Sequence, residues 1–107
     1  MAIDVNADSF ESEVVKSDKP VLVDFWGPRC VPCLALMPRV EVLASKYADK
    51  IKVTKVDSSK NARFCLTLKV LGLPTFLFYK DGAEVERLTG EDLTIEEIEE
   101  SVKKLVD

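Results

Sequence analysis

The sequence contains no histidine, so imidazole can serve neither as a catalytic base nor as a metal ligand. Cysteine is scarce too, with three among 107 residues, which is too few for the disulfide framework of a small secreted scaffold. Three thiolates without histidine also leave a four-ligand zinc site incomplete, so we expect no metal. No apolar run approaches the roughly 20 residues that span a bilayer, and we expect no membrane partner.

The residues that are present are typical of a soluble globular protein, with 47% hydrophobic and 32% charged. The length suits one core, so residues 1–107 are predicted to form a single domain. A net charge of −4 disfavours nucleic acid as a partner. The opening residues Met1–Asp4 have neither the basic nor the apolar region of a signal peptide, so we expect a cytoplasmic protein.

Two of the cysteines, Cys30 and Cys33, lie where a predicted strand turns into a predicted helix. The apolar run Val21–Phe25 is typical of a buried strand, and residues 34–37 begin a helical pattern. The first turn of a helix has unpaired backbone N–H groups and partial positive charge, and both favour a thiolate. We therefore expect the pKa of Cys30 to fall into the range of about 3.5–7.5 found at such positions.

Cys33 lies one turn further along the same helix face, where it can form a disulfide with Cys30. A low-pKa thiolate beside a second thiol is suited to thiol–disulfide exchange. Two alternatives are half of a zinc site and a pair of small buried hydrophobic residues. The strand before the pair and the helix after it favour the redox interpretation.

The remaining patterns alternate strands with helices. The predicted elements are a strand at 3–5, a helix at 8–16, strands at 21–25 and 51–57 around a helix at 31–47, a helix at 58–68, strands at 76–79 and 84–88, and a helix at 95–106. Asp8 with Glu11, and Thr94 with Glu97, have the spacing of capping boxes. Asp81-Gly82 predicts a hairpin turn. Parallel βαβ units followed by an antiparallel hairpin predict a mixed sheet with helices on both faces.

The chain resembles thioredoxins in residues well beyond the cysteine pair. The similarity includes Asp24 and Trp26 before the pair, Pro38 in the following helix, and the downstream segment Gly72–Thr75. It implies the thioredoxin fold, which is α/β with a central mixed sheet of parallel strands and an antiparallel C-terminal hairpin, flanked by helices. Thioredoxins are among the proteins from which the cysteine pKa range of about 3.5–7.5 is known, so that range adds no separate support for the resemblance.

The resemblance also implies a general protein-disulfide reductase and electron carrier, with Cys30 as nucleophile and Cys33 as resolving thiol. No cofactor is expected other than the redox-active disulfide between Cys30 and Cys33. The expected partners are disulfide-containing substrate proteins and a separate thioredoxin reductase, and the protein is expected to be a monomer. A disulfide oxidant or isomerase, and a scaffold subunit without enzymatic function, are the alternatives.

Asp24 interrupts an apolar strand, so burial should raise its pKa, unless the strand end is exposed to water. The resemblance implies that Asp24 is a general base toward Cys33. By the same resemblance Lys55 approaches Asp24 from the neighbouring strand, although a solvated lysine is an equal alternative. Trp26 is either a core residue or a wall of the site.

The resemblance further implies that Pro74 follows a cis peptide bond and faces the cysteines. The backbone of Leu73 would then be free to pair with an extended substrate segment. Gly72, Leu73, Pro74 and Trp26 are accordingly predicted to form the groove for partner proteins.

The residues expected to tune the cysteine pair are Arg29, Val31, Pro32 and Lys55. Pro32 lies in the first helical turn and stiffens the loop. Val31, Arg29 and Leu34 stand where thioredoxins commonly have Gly, Trp and a basic residue. Arg29 should stabilise the Cys30 thiolate, whereas Leu34 removes a positive charge, so the two effects oppose each other.

Cys65 lies in the predicted helix at 58–68 and is interpreted as a small buried hydrophobic residue. The alternative is a regulatory thiol.

A glutaredoxin is disfavoured, because that family typically has Pro-Tyr between its cysteines and lacks the Asp24 and Trp26 pattern.

Overall fold

A computed structural model describes all 107 residues. The strands are β1 (Ile3–Asp4), β2 (Val21–Trp26), β3 (Lys52–Asp57), β4 (Thr75–Lys80) and β5 (Ala83–Thr89). The helices are α1 (Val31–Lys46), α2 (Ala62–Thr67) and α3 (Ile95–Val106). A π-helical segment, Glu11–Val15, precedes β2, and a 3-10 turn, Ser58–Lys60, follows β3. None of the helices combines the length and hydropathy needed to cross a membrane.

The strands form one mixed sheet in the order β1-β3-β2-β4-β5. β1 and β2 both run parallel to β3, whereas β4 is antiparallel to β2 and β5 is antiparallel to β4. The carboxyl ends of β2 and β3 and the amino end of β4 therefore meet at one edge of the sheet. This is the mixed sheet with a C-terminal hairpin that the sequence predicts.

Each face of the sheet has its own hydrophobic core, because side chains alternate between faces along a strand. One core packs α1 and α3 against the sheet, and among its members are Leu22, Leu36, Val40, Leu43, Val53, Phe76, Phe78, Ile98, Val102 and Leu105. The other packs the π-helical segment and α2, and it includes Phe10, Val14, Val21, Val23, Phe25, Val56, Cys65, Val70 and Leu77. The helices thus cover both faces, as predicted.

The predicted helix at 8–16 is wrong in its start and its geometry. Asn6, not Asp8, caps the segment, since its Oδ1 accepts hydrogen bonds from the N–H groups of Asp8 and Ser9 at 2.9 and 3.0 Å. Only Glu11–Val15 is regular helix, and it is of the π type. An asparagine side chain two residues earlier offers the same capping chemistry as aspartate, and local spacing does not distinguish them.

The predicted helix at 58–68 is likewise two elements. The 3-10 turn ends at Asn61, whose backbone angles of φ −137° and ψ 37° are not helical, and α2 begins at Ala62. The Asp57 carboxylate accepts from the N–H and hydroxyl of Ser59, so β3 turns sharply at its end. This turn keeps Ser58 and Ser59 at the edge of the sheet.

The C-terminal elements agree with the sequence predictions. Asp81 and Gly82 both have positive φ, 53° and 82°, as the tight β4–β5 hairpin requires. Thr94 and Glu97 form a complete capping box at the start of α3. The Glu97 N–H donates to the Thr94 hydroxyl at 3.2 Å, and the Thr94 N–H donates to the Glu97 carboxylate at 3.1 Å.

Candidate active site

The two cysteines lie at the edge of the sheet where β2 ends and β4 begins. β2 delivers residues 27–30 to this edge, β3 delivers Ser58 and Ser59, and the segment 72–74 enters β4 from the same side. Strand order therefore assembles the site from three parts of the chain that are distant in sequence. Parallel β2 and β3 bring the first two parts together, and antiparallel β4 returns the third.

Cys30 and Cys33 form a disulfide, with an Sγ–Sγ distance of 2.10 Å and Cα atoms 5.2 Å apart. Cys30 is the N-cap residue of α1, and its Sγ accepts a hydrogen bond from the Cys33 N–H at 3.3 Å. The side chains differ in exposure, because Cys30 is partly exposed whereas Cys33 is 1% exposed. The Cys33 N–H, which has no partner within the helix, and the helix dipole thus both act on Cys30, the more accessible sulfur.

A shallow groove runs past Cys30 along the edge of the sheet. Its lining consists of Gly27, Pro28, Arg29, Cys30, Ser58, Ser59 and Leu73. Gly27 and Leu73 are closely packed, since a Cβ atom on residue 27 would lie 3.2 Å from Leu73 Cδ1. Absence of a side chain at Gly27 therefore sets the position of Leu73 beside the cysteines.

The segment 72–74 is held by hydrogen bonds on both sides of Leu73. The Thr75 hydroxyl donates to the Gly72 carbonyl at 2.6 Å, and the Gly90 N–H donates to the Pro74 carbonyl at 3.1 Å. The Leu73–Pro74 peptide bond is cis, as the resemblance implies. Neither the N–H nor the carbonyl of Leu73 has an intramolecular hydrogen bond, so both are available to a bound chain.

Arg87 of β5 fixes the end of α2, a few residues before this segment. Its guanidinium donates to the carbonyls of Leu68 and Lys69 at 2.9 and 2.8 Å, at the end of α2. The same guanidinium forms a bidentate pair with Glu84. Lys69 has a positive φ of 59°, and the arginine satisfies the carbonyls that this turn leaves without helical partners.

Asp24 lies beneath α1 in the interior. It is 2% exposed, and by strand alternation it shares the face of the sheet with Leu22. In the sheet register Asp24 is paired with Lys55 of β3 and Phe76 of β4. Burial raises the pKa of Asp24 from 3.8 to about 7, Lys55 lowers it in part, and Glu41 raises it further. The carboxyl is thus buried, as predicted from the sequence, and not solvated at the strand end.

Lys55 is paired with Asp24 in the sheet register, but its ion pairs are with other carboxylates. Its side chain is 22% exposed, and its Nζ lies 3.8 Å from Asp4 Oδ1 and 4.0 Å from Glu41 Oε2. Its positive charge acts on Asp24 strongly enough to lower the pKa of that carboxyl against the effect of burial. The lysine is thus partly buried among carboxylates, and its approach to Asp24 stays a prediction.

Trp26 lies at the end of β2, but it does not line the groove that passes Cys30. It lines a neighbouring polar crevice together with Asp4, Asn6, Lys55, Asp57 and Lys60. The indole Nε1 of Trp26 and the hydroxyl of Ser58 are buried without a hydrogen-bond partner. Such buried polar groups without partners are rare in folded proteins, and here both lie beside the cysteine pair.

Of the residues predicted to tune the cysteines, Lys55 lies on β3, and the other three lie in the first turn of α1 or immediately before it. Val31 is 75% exposed, and Pro32 occupies the first turn, where its missing N–H leaves no helical hydrogen bond unmade. Arg29 is exposed and lines the groove. Leu34 is 43% exposed, so Val31 and Leu34 give the rim of the site an apolar surface.

Comparison with known proteins decides the family. The family model described as Thioredoxin matches residues 1–104. The chain belongs to the thioredoxin family. It is 43% identical over 103 residues to Thioredoxin of Acetoanaerobium sticklandii, a match that covers 96% of this chain and 98% of that protein. It is 42% identical over 106 residues to Thioredoxin of Peptoclostridium acidaminophilum, covering 99% and 96%. Thioredoxin Y1, chloroplastic, of Arabidopsis thaliana is 41% identical over 100 residues, covering 90% and 58%.

Family membership and the cysteine pair together establish the class of reaction. The chain has the thioredoxin fold and is a protein-disulfide oxidoreductase that works by dithiol–disulfide exchange. Thioredoxins use no cofactor besides the active-site disulfide. The structure contains no group of three or more acidic, cysteine or histidine side chains arranged to hold a metal ion.

Sequence reasoning missed three residues at this thioredoxin site. Ser58 and Ser59 line the groove beside Cys30 because they follow β3, the parallel neighbour of β2. The meeting of parallel strand ends at one sheet edge was the signal that could have identified them. Glu41 lies eight residues after Cys33, on the same helix face, and this spacing could have placed it near the buried Asp24.

Proposed function

We propose that the chain is a general protein-disulfide reductase in which Cys30 is the nucleophile and Cys33 the resolving thiol. The observation that carries this assignment is the difference between the two sulfurs. Cys30 is partly exposed in a groove and accepts the Cys33 N–H, whereas Cys33 is buried. A substrate disulfide can therefore reach Cys30 from solvent, but it can reach Cys33 only after α1 moves.

The exchange proceeds in two displacements. The Cys30 thiolate attacks one sulfur of the substrate disulfide, the substrate S–S bond breaks, and the departing thiolate takes up a proton. The Cys33 thiolate then attacks Cys30 Sγ, releases the second substrate sulfur and leaves the Cys30–Cys33 disulfide. Two electrons pass from the dithiol to the substrate, so another reductant has to restore the dithiol.

Asp24 acts in the second displacement as the general base that takes the proton from Cys33. Its burial and a pKa of about 7 support this role, because a base of that pKa is neither fully protonated nor too weak at neutral pH. An ordinary carboxylate with a pKa of 3.8 would accept a thiol proton far less favourably.

The substrate groove comprises Gly72, Leu73 and Pro74 beside Cys30, and Trp26 bounds it from the neighbouring crevice that it lines. The free N–H and carbonyl of Leu73 support this proposal, because an extended chain can add to them as a short strand. Exposed Val31 and Leu34 provide apolar contact on the other side of Cys30.

Arg29, Val31, Pro32 and Lys55 tune the reaction without exchanging protons or sulfur. Arg29 favours the Cys30 thiolate by its charge, and Pro32 stiffens the first turn of α1. Lys55 lowers the pKa of Asp24 and so limits the effect of burial on the base.

The cellular setting is the remaining part of the proposal. We infer that disulfide-containing proteins are the substrates, that a thioredoxin reductase restores the dithiol, and that nucleic acid and membranes are not partners. We further infer a cytoplasmic monomer consisting of a single domain, with the Cys30–Cys33 disulfide as the only redox group.

The test is reduction of insulin disulfides with a chemical reductant, followed by a trapping experiment. A Cys33→Ser variant should form a stable mixed disulfide through Cys30, because the second displacement is lost. The matched control, Cys30→Ser, should trap little substrate, since its two remaining thiols, Cys33 and Cys65, are both buried. Equal trapping by both variants, or trapping only by Cys30→Ser, would show that the order of attack is wrong.

A further inference from the structure

Beneath the active site, the positive charge of Lys55 acts on three carboxyl groups, those of Asp4, Glu41 and Asp24. Lys55 Nζ lies 3.8 Å from Asp4 Oδ1 and 4.0 Å from Glu41 Oε2, and Lys55 is the register partner of Asp24. The Lys55 side chain is only 22% exposed, so water screens these interactions incompletely. When the ammonium lies closer to one carboxylate, its electrostatic attraction to the other two is therefore weaker.

Glu41 is fixed in this arrangement by the start of the chain. The Ala2 N–H donates to Glu41 Oε1 at 3.0 Å, while the other carboxylate oxygen, Oε2, faces Lys55. The Asp4 side chain is 84% exposed, whereas that of Glu41 is 41% exposed. An exposed carboxylate is screened by water, so Glu41 is the stronger competitor for Lys55.

The charged groups around Asp24 come from three elements. β3 supplies Lys55, and α1 supplies Glu41 and, at its start, the cysteine pair, which does not titrate when oxidised. β4 presents the uncharged Phe76, and β1 supplies Asp4, which contacts Lys55. Glu41 is therefore the one acidic side chain that both borders Lys55 and is fixed by a hydrogen bond.

We propose that Glu41 is a positioning residue for thiol–disulfide exchange, which draws Lys55 away from Asp24 and so keeps Asp24 basic enough to take a proton from Cys33. The role of Asp24 as that base rests on the proposed function. Direct repulsion between the Glu41 and Asp24 carboxylates acts in the same direction. This direct part is the one seen in the pKa of Asp24, which burial raises, Lys55 lowers and the charge of Glu41 raises.

The variant Glu41→Gln isolates the charge. The glutamine Oε1 can still accept from the Ala2 N–H, so the tether to the start of the chain remains, whereas the negative charge is lost. Without that charge Lys55 interacts more strongly with Asp24. We expect the midpoint of the Asp24 titration, followed by carboxyl ¹³C NMR in the oxidised protein, to fall by about half a pH unit or more.

Asp4→Asn is the matched control, since it removes a carboxylate at a similar distance from the same lysine. Because Asp4 is exposed, we expect it to shift the Asp24 midpoint by less than half as much as Glu41→Gln. A second comparison places Glu41→Gln in a Lys55→Gln background. The shift should become smaller there, because the lysine through which Glu41 acts is missing.

The outcomes separate this inference from the proposed function. An unchanged or higher Asp24 midpoint in Glu41→Gln overturns the inference, as does an equal shift with and without Lys55. When the midpoint falls, the pH profile of insulin reduction should move to lower pH by a similar interval. A fallen midpoint with an unmoved profile supports the action of Glu41 on Asp24 and overturns the assignment of Asp24 as the base.

Discussion

Replacement of Asp24 by asparagine should make the oxidised protein more stable at neutral and alkaline pH, and the gain should depend on pH. Asn has nearly the shape of a protonated Asp, but it cannot ionise. The wild-type carboxyl is 2% exposed, and burial raises its pKa from 3.8 to about 7. Ionisation of the Asp24 carboxyl is therefore less favourable in the folded protein than in the unfolded chain, and this difference destabilises the folded state at high pH.

The direction follows from proton uptake. Between pH 3.8 and about 7 the unfolded state has lost the Asp24 proton while the folded state retains it, so wild-type stability falls as pH rises through this interval. The difference between the two pKa values corresponds to about 4 kcal/mol at about 1.4 kcal/mol per pH unit. Below pH 3.8 both states are protonated and this contribution to stability is fully present, and above about 7 it is lost.

Urea denaturation of the oxidised proteins at a series of pH values measures this effect. The free energy of unfolding of Asp24→Asn relative to wild type should increase by about 4 kcal/mol between pH 4 and pH 8. For an m-value near 2 kcal/mol/M, this corresponds to a shift of about 2 M in the urea midpoint. Asp4→Asn, which removes an exposed carboxylate near the same lysine, should show little such dependence. A constant difference across the pH range would refute the argument.

Three further substitutions or modifications test the parts that position the site. Gly27→Ala should lower the free energy of unfolding by about 1 kcal/mol, because its Cβ would meet Leu73 Cδ1 at 3.2 Å and the leucine side chain would have to shift. Gly72→Ala, with no atom within 4 Å, should change it little, and equal effects would contradict this packing. Arg87→Ala should cost about 1–2 kcal/mol through two unpaired carbonyls, and Arg87→Lys should recover only part of it in the same urea titration, because lysine lacks the guanidinium fork. Cys65, at 5% exposure, should be alkylated in the folded, reduced protein far more slowly than in urea; rapid labelling of the folded form would favour the regulatory-thiol alternative.

The features predicted well from the sequence are those written in short-range patterns. The junction of β2 and α1 follows from an apolar run, a proline-containing first turn and a helical repeat, and these fix Cys30 at the N-cap. Burial of Asp24 follows because its neighbours on both sides are core residues of an internal strand. The hairpin turn at Asp81-Gly82 follows from residues that tolerate positive φ.

The features that were missed depend on packing between distant segments. Ser58 reaches the Cys30 groove only because β3 lies beside β2 in parallel register. Glu41 reaches Lys55 only because α1 packs over the face of the sheet on which Lys55 lies. Capping of the first helix by Asn6 instead of Asp8 is a choice between chemically similar side chains. Composition and periodicity carry no information on such choices, because the free-energy differences arise from tertiary contacts.

Alkylation of the reduced protein with iodoacetamide across a range of pH, with each cysteine followed by mass spectrometry, tests the chemistry of the cysteine pair. The structure places Cys30 at the N-cap of α1 with the Cys33 N–H on its sulfur, so Cys30 should react first. Its reaction should have a midpoint at least about one pH unit below the value of about 8.5 for a free cysteine. Equal reactivity of Cys30 and Cys33, with an ordinary midpoint for both, would contradict a nucleophile activated by the start of the helix.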